Sequence, residues 1–388
     1  MNTEHLIKLR RMENMPEGGI NSVEGLLVIA EKFLKPHFKM AEVGSFEGIS
    51  TLLFSKFVDT VYSVDCYDYK VPETGRIPEH DLSFQIAEKM FLERTKGIKN
   101  IVKIRKKSME AVKDFEDRSL DAVYIDGEHD EPSVREDIKE WRKKVKFGGY
   151  LMGHDYYLPY IQPILNEQGL YQVSVAPDSS WIARIPSVTL ASVACTKIPE
   201  TIEAMRKCQT QMGFNRSVLF THEDVQFPGI EVVKIDKLDY KGYNEFVAMK
   251  LWQWIETDFL LLVQNDGYIT DVSKWDDEFM KYDYIGAPWP VPEDETTYRT
   301  PNGRLVRVGN GGFSFRSRGL LRAPTILGLE FTDKGTGFWH EDGNICVHHG
   351  DTLQDAGIRF APVEVAAKFS TEVTVPETVE SFGKHRYL

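Results

Sequence analysis

The 388-residue chain is short of several things, and each shortage excludes a class of protein. It has only four cysteines, Cys66, Cys195, Cys208 and Cys346. None stands at metal-ligand spacing, and four are too few for a disulfide framework. A reducing compartment follows, so a cytoplasmic location is expected. No apolar run approaches the ~20 residues of a membrane span. The opening Met1-Asn-Thr-Glu-His-Leu-Ile-Lys lacks the apolar core of a signal peptide. Positive charge is also short: 47 Lys and Arg stand against 59 Asp and Glu, and the net charge of −12 argues against a general nucleic-acid binder. Internal repeats and low-complexity segments are missing. What remains is the composition of a globular protein in a chain too long for one core, so at least two domains are expected.

The first half reads as alternating helix and strand. Residues 21–34 form a helix capped by Asn21 or Ser22 and ended by Pro36. Met40-Ala-Glu42-Val-Gly44-Ser45-Phe46-Glu47-Gly48-Ile-Ser50 is a strand, a glycine turn and a helix start. Gly44 permits the tight turn, and Gly48 would let a ligand approach the helix N-terminus. About twenty residues later the strand Thr60–Val64 runs into Asp65. That spacing suits a nucleotide, with backbone for one end and a carboxylate for the ribose hydroxyls. Residues 68–80 read equally as a lid or a surface insertion. A helix from Asp81 and a strand from Ile101 lead to Ser108-Met109, where a third loop would meet an adenine.

The strongest local pattern follows. Leu120–Ile125 is a buried strand that ends in Asp126-Gly-Glu-His129, and Gly148–Gly153 is another that ends in His154-Asp155. Two neighbouring strand ends would bring Asp126, His129, His154 and Asp155 to one rim. Oxygen and imidazole donors of this kind suit Mg²⁺ or Mn²⁺.

Glu42-Val-Gly-Ser-Phe-Glu-Gly48, Val64-Asp65, Tyr124-Ile-Asp-Gly-Glu-His129 and Gly148–Asp155 resemble class I S-adenosylmethionine-dependent methyltransferases over about residues 20–185. The branch it resembles has the strand-four motif Ile-Asp-Gly-x-His and is related to metal-assisted sugar O-methyltransferases. The resemblance implies a Rossmann-like seven-stranded sheet, closed by a hairpin around 171–185. It implies that Gly44, with Glu42, Ser45 and Gly48, holds the methionine end of the cofactor. Asp65 would hold the ribose, and Ser108 with Met109 the adenine side, beside Asp126. Asp126, His154 and Asp155 match metal positions, although that branch often has carboxylates where this chain has His154. His129 is the candidate general base, since an imidazole takes a hydroxyl proton near neutral pH.

Pro186 marks a boundary, and a second α/β pattern fills residues 187–388. Its strands are expected at Val188–Cys195, Ser217–Phe220 and Ile230–Ile235, and its helices at Glu200–Gly213 and Tyr240–Ile255. Then Phe259-Leu-Leu-Leu-Val263 runs straight into Gln264-Asn265-Asp266-Gly267, a buried strand delivering a carboxylate to a sheet edge. Later come an aromatic loop at Tyr284–Pro290, the glycine-rich Gly309-Asn310-Gly311-Gly312, the acidic Glu341-Asp342, and His385.

This half resembles GT-A-type glycosyltransferases, in a poorly characterised family with Gln-x-Asp-Gly, Ile-Gly-Ala-Pro-Trp, Gly-Asn-Gly-Gly-Phe-Ser and Glu-Asp motifs. The resemblance implies a GT-A-like α/β domain and a nucleotide-sugar donor. Asp266, with Gly267, would serve the donor, and Asp266 with His385 would hold a metal. Trp289, Asn310, Gly311 and Gly312 would contact sugar. Asp342, with Glu341 close behind, would deprotonate the acceptor. The combined expectation is a two-domain enzyme acting on a carbohydrate or glycoconjugate. A methyltransferase carrying an inactive binding domain is the alternative.

Overall fold

The computed structural model describes residues 23–67, 81–332, 340–372 and 380–385, with side chains from 86 onward in the second of these spans. Residues 68–80, which read equally as a lid or a surface insertion, and the alternative caps Asn21 and Ser22 lie outside the described residues. The chain divides into two compact units, Met1–Ile185 and Pro186–Leu388.

The first unit is built on seven strands: β1 (Lys39–Val43), β2 (Thr60–Val64), β3 (Ile101–Ile104), β4 (Leu120–Ile125), β5 (Val145–Gly153), β6 (Val173–Val175) and β7 (Trp181–Arg184). Their order is β3-β2-β1-β4-β5-β7-β6. Strands β1 to β5 are parallel, and β7 and β6 close the sheet as an antiparallel hairpin. β1 and β4 are buried almost end to end, which is why they read as continuous apolar runs. Helix Glu131–Lys144 buries Val134, Ile138 and Trp141, and its cap Asp130 accepts the Ser133 amide at 3.1 Å. The chain moves outward from β1 to β2 and β3, then returns to β4 on the other side. The carboxyl ends of β1 and β4 therefore flank the topological switch point, where an open α/β sheet forms its binding crevice.

The second unit repeats that logic with a mixed sheet. Its six strands are β8 (Val188–Val193), β9 (Arg216–Thr221), β10 (Glu231–Lys234), β11 (Phe259–Val263), β13 (Tyr284–Ile285) and β14 (Phe313–Ser317). They lie in the order β10-β9-β8-β11-β14-β13, with β14 antiparallel to both neighbours. β12 (Gly267–Ile269), β15 (Ser370–Thr371) and β16 (Gly383–His385) form a small sheet ordered β12-β16-β15. Here the switch point falls between β8 and β11.

The expected helix from Tyr240 to Ile255 is not one helix. It is α-helical over Tyr240–Glu245, π-helical over Phe246–Lys250 and 3-10 over Leu251–Trp254. In that arrangement Phe246 and Trp254 both pack on Phe220, with ring centroids 5.9 and 5.7 Å away. No helix among the described residues is long and apolar enough to cross a membrane.

Candidate functional site

In the first unit the glycine turn is held from several sides. Gly44 has φ +88°, and a Cβ there would lie 1.9 Å from the backbone oxygen of Asp126. The turn after β1 and the turn after β4 thus touch backbone to backbone. Substituting Gly44 with alanine is expected to abolish binding of S-adenosylhomocysteine, read by isothermal titration calorimetry. Wild-type affinity in the alanine variant would show that the turn is dispensable.

Asp65 uses both carboxylate oxygens on this turn. Oδ2 accepts the Phe46 amide and Oδ1 the Tyr67 amide, each at 2.9 Å. Burial raises its pKa above the ordinary value, against the pull of those amides. Tyr67, which the sequence did not single out, lies 3.2 Å from the Ser45 hydroxyl and donates to the Phe46 carbonyl at 3.0 Å. An aromatic two residues beyond the strand-end acid was the only available signal.

Three expected cofactor contacts are corrected. Gly48 does not open the helix to a ligand: the space its Cβ would take is filled by the Phe91 ring, 2.7 Å away. Glu42 is fully buried and its carboxylate accepts the Thr51 hydroxyl, so it braces the turn from beneath. Ser108 donates to Asp137 and accepts from the Trp141 indole at 2.8 Å, so its one hydroxyl proton is committed within the protein. Met109 is half-buried in the same short helix, Ser108–Ala111.

The four residues at the strand ends do come together. His154 Nδ1 lies 2.8 Å from Asp155 Oδ1 and 3.8 Å from Asp126 Oδ1. His129 Nδ1 lies 2.8 Å from Asp155 Oδ2. Among the described residues, Asp126, His154 and Asp155 are the one group of three such donors that could hold a metal, with ligand atoms within 4.8 Å of one another. The donor set of two carboxylates and one imidazole fits a hard or borderline divalent cation. Asp155 sits at φ +57°, in the left-handed region that Asp visits more readily than most residues. Burial alone would raise the Asp155 pKa, but hydrogen bonds with His129 and His154 outweigh it and hold the carboxyl far below its ordinary range. The same bond to Asp155 raises the His129 pKa above its ordinary value, against partial burial. The His129 side chain is 56% exposed.

The second unit gathers Asp266 and His385 at its switch point, but differently from expectation. His385 Nε2 lies 3.2 Å from Asp266 Oδ1, within ion-pair range but without a hydrogen bond's alignment. Its Nδ1 lies 3.6 Å from Glu372 Oε1. Both ring nitrogens thus face carboxylates, and no third metal donor joins Asp266 and His385 among the described residues. Burial pushes the His385 pKa down, but the two carboxylates win and lift it to about 9. Burial pushes Asp266 up, and His385 more than reverses this. Glu372 was missed in the sequence because nothing local ties it to His385.

The His385 pair has a pH consequence. Its folded pKa is raised above the ordinary 6.5, so its stabilisation is complete below pH 6.5 and disappears as pH rises through about 9. At full strength that is worth about 3 kcal/mol. The thermal midpoint of the wild type is expected to fall between pH 7 and 9.5, and His385→Asn to flatten that fall. Equal slopes in the two proteins would remove the assignment.

The structure places the remaining expected residues there and corrects Trp289, the three glycines and Glu341. Trp289 is 9% exposed; its ring stacks on Tyr298 with centroids 4.5 Å apart and fills the space where a Gly309 Cβ would sit. It packs the loop and is not an open sugar platform. A Cβ on Gly311 would meet Glu341 Oε1 at 1.5 Å, one on Gly312 would meet His385 Nε2 at 2.1 Å, and one on Gly267 would meet the Gly312 carbonyl at 2.6 Å. These glycines admit protein atoms. Glu341 is buried against the fully buried Arg316 at 2.9 Å, so it is not placed to reach an acceptor. Asp342 is half-buried and accepts the Gly311 amide at 3.1 Å and the Gly343 amide at 2.7 Å. Asn310, at φ +59°, is buried with an unpartnered Nδ2.

Residues 41–156 match the family model described as a methyltransferase domain, and residues 230–386 match one described as a protein of unknown function, DUF5672. No curated protein matches the chain. Similar solved structures include an S-adenosylmethionine-dependent O-methyltransferase from Thermotoga maritima, at 14% identity and TM-score 0.32, covering 46% of this chain and 71% of that one. A tRNA methyltransferase from Aquifex aeolicus is similar at 13% identity and TM-score 0.34, covering 47% and 76%. An rRNA methylase from Streptococcus thermophilus is similar at 13% and 0.31, covering 44% and 99%. At those scores the likenesses carry no argument about substrate. The family match and the sheet order together mark the first unit as a methyltransferase domain with a Rossmann-like sheet.

Proposed function

We propose that the first unit methylates a hydroxyl oxygen, on a carbohydrate or glycoconjugate, and that the second unit binds a nucleotide sugar and transfers its glycosyl group. The observation that carries the first part is the cluster of Asp126, His154 and Asp155 with His129 bonded to Asp155, at the strand ends beside the switch point. S-adenosylmethionine supplies a methyl group on a sulfonium, and a divalent cation at Asp126, His154 and Asp155 would make a nearby hydroxyl more acidic. Asp155 holds His129 by Nδ1, which leaves Nε2 to take the hydroxyl proton. The oxygen–methyl bond forms as the sulfur–methyl bond breaks, and the proton stays on His129. Asp126 lies 4.0 Å from that same Nε2 and helps keep the acceptor oriented.

For the second unit, the support is the position of Asp266 at the β8/β11 switch point, with the charge of Lys197 acting on it. Asp342, held by the Gly311 amide, would take the acceptor proton. The Asp266–His385 pair by itself gives two donors, so no metal step is assigned there.

The test incubates the full chain with labelled S-adenosylmethionine and a panel of sugars and glycosides, with and without Mn²⁺, and follows label in the acceptor. Label only in nucleic acid or protein acceptors would overturn the carbohydrate reading. In parallel, thermal shift and turnover are measured with a panel of nucleotide sugars. A midpoint rise with turnover lost in Asp266→Ala supports transfer. Glycan binding without turnover for any donor would leave the second unit a binding module.

A further inference from the structure

We propose that Asp178 is the positioning residue of the methyltransferase site: it fixes which nitrogen of His154 faces Asp126 and Asp155, and ties that choice to the first helix. Asp178 belongs to the turn between β6 and β7, 24 residues along the chain from His154. Its backbone carbonyl lies 2.6 Å from His154 Nε2. A carbonyl oxygen can only accept, so Nε2 carries the hydrogen. Nδ1 therefore faces the two carboxylates, 2.8 Å from Asp155 Oδ1 and 3.8 Å from Asp126 Oδ1. An imidazole donor is set in this way by the bond its other nitrogen makes.

The carbonyl is aimed by the Asp178 side chain, which is 1% exposed. One carboxylate oxygen accepts the Ser180 amide and the other the Ser180 hydroxyl, each at 3.1 Å, which closes the turn on itself. The same carboxylate accepts the Leu26 amide at 3.1 Å, in the first turn of helix Glu24–Phe33. A helix N-terminus favours a carboxylate there. Gly25 makes room for it, because a Cβ at that position would lie 2.0 Å from Asp178 Oδ1. His154 is held on its other side by the Trp181 indole, which donates to its carbonyl at 2.9 Å. The hairpin turn therefore clamps His154 from two directions, and the clamp is anchored in the first helix.

The inference rests on the cation reading of the Asp126, His154 and Asp155 cluster, and the experiment separates the two. Nitrogen NMR of the histidine rings in the wild-type chain is expected to show His154 Nε2 protonated both without metal and with Mg²⁺. Protonation at Nδ1 with a bare Nε2 would overturn the assignment before any variant is made. Mn²⁺ affinity, read from free Mn²⁺ by electron paramagnetic resonance, is expected to fall about 10–100-fold in Asp178→Ala. Asp178→Asn is expected to recover part of it, because the amide oxygen still accepts the Leu26 amide, and Gly25→Ala to lose as much as Asp178→Ala. S-adenosylhomocysteine affinity should hold in all three. Wild-type Mn²⁺ affinity in Asp178→Ala and Gly25→Ala would sink the positioning role and leave the cation site standing. No Mn²⁺ binding by the wild type would instead sink the cation reading. A parallel loss of S-adenosylhomocysteine and Mn²⁺ binding would reduce Asp178 to a structural cap.

Discussion

Replacing His129 with alanine is expected to lower the rate of methyl transfer by ~10²–10⁴-fold, the usual worth of a positioned general base. The measurement is label transfer from S-adenosylmethionine to the best acceptor of the sugar panel. Affinity for S-adenosylhomocysteine should stay unchanged, because the ring touches Asp155 and not the glycine turn. His129 suits the task for two reasons. Its Nδ1 is fixed on Asp155 at 2.8 Å, so Nε2 is aimed without a search. Asp155 also raises its basicity, which makes the imidazole a stronger proton acceptor. A loss below tenfold would mean that the acceptor proton leaves by another route. His129→Gln then provides the contrast: it keeps the polarity and loses the proton acceptor, so it should behave like alanine.

The second large effect is on stability. Glu341→Ala is expected to cost about 3–5 kcal/mol, read from urea unfolding of the full chain. The reason is the partner left behind. Arg316 is fully buried, its guanidinium cannot lose its proton, and Glu341 is the one carboxylate within 4 Å of it among the described residues. Burial pushes the Glu341 carboxyl up while Arg316 pulls it down. With a permanent cation 2.9 Å away, the pair stays ionised. Arg316 also donates through Nε to Ser314 at 3.0 Å, and the Glu341 backbone amide donates to the Asn244 side-chain oxygen at 2.9 Å. Removing one member therefore strands a charge inside β14. Replacing both, as Arg316→Met with Glu341→Leu, should recover most of the loss, since a buried ion pair exchanged for apolar groups of similar volume is near neutral. A double variant as unstable as the single one would show that shape, not charge, governs the site. If Glu341 were instead the catalytic base, its removal would spare stability and abolish turnover.

The two effects also mark where a sequence can be read. The strands were legible because burial on both faces leaves a continuous apolar run, as in Leu120–Ile125 and Phe259–Val263. Strand ends in an open parallel sheet point at one edge, so the sequence alone places Asp126, His154 and Asp155 on one rim. The same rule placed Asp266 at the edge of the second sheet.

Other assignments depended on which surface each side chain meets, and a motif carries no record of that. Gly48, Gly311 and Gly312 looked like openings for a ligand, yet Phe91, Glu341 and His385 occupy the space beside them. Trp289 looked like a platform and is stacked on Tyr298. Glu341 and Asp342 are adjacent in the chain, but one turns inward to Arg316 and the other meets the Gly311 amide. Asp178 had no signal at all, because its bond to Leu26 spans 152 residues and its bond to His154 runs through a backbone oxygen. The sequence by itself determined the two sheets and the edge at which their acids emerge, since hydrophobic burial and strand direction are local and periodic. Tertiary packing alone decided which of those acids are free to do chemistry, since that depends on partners brought together only when the chain has closed.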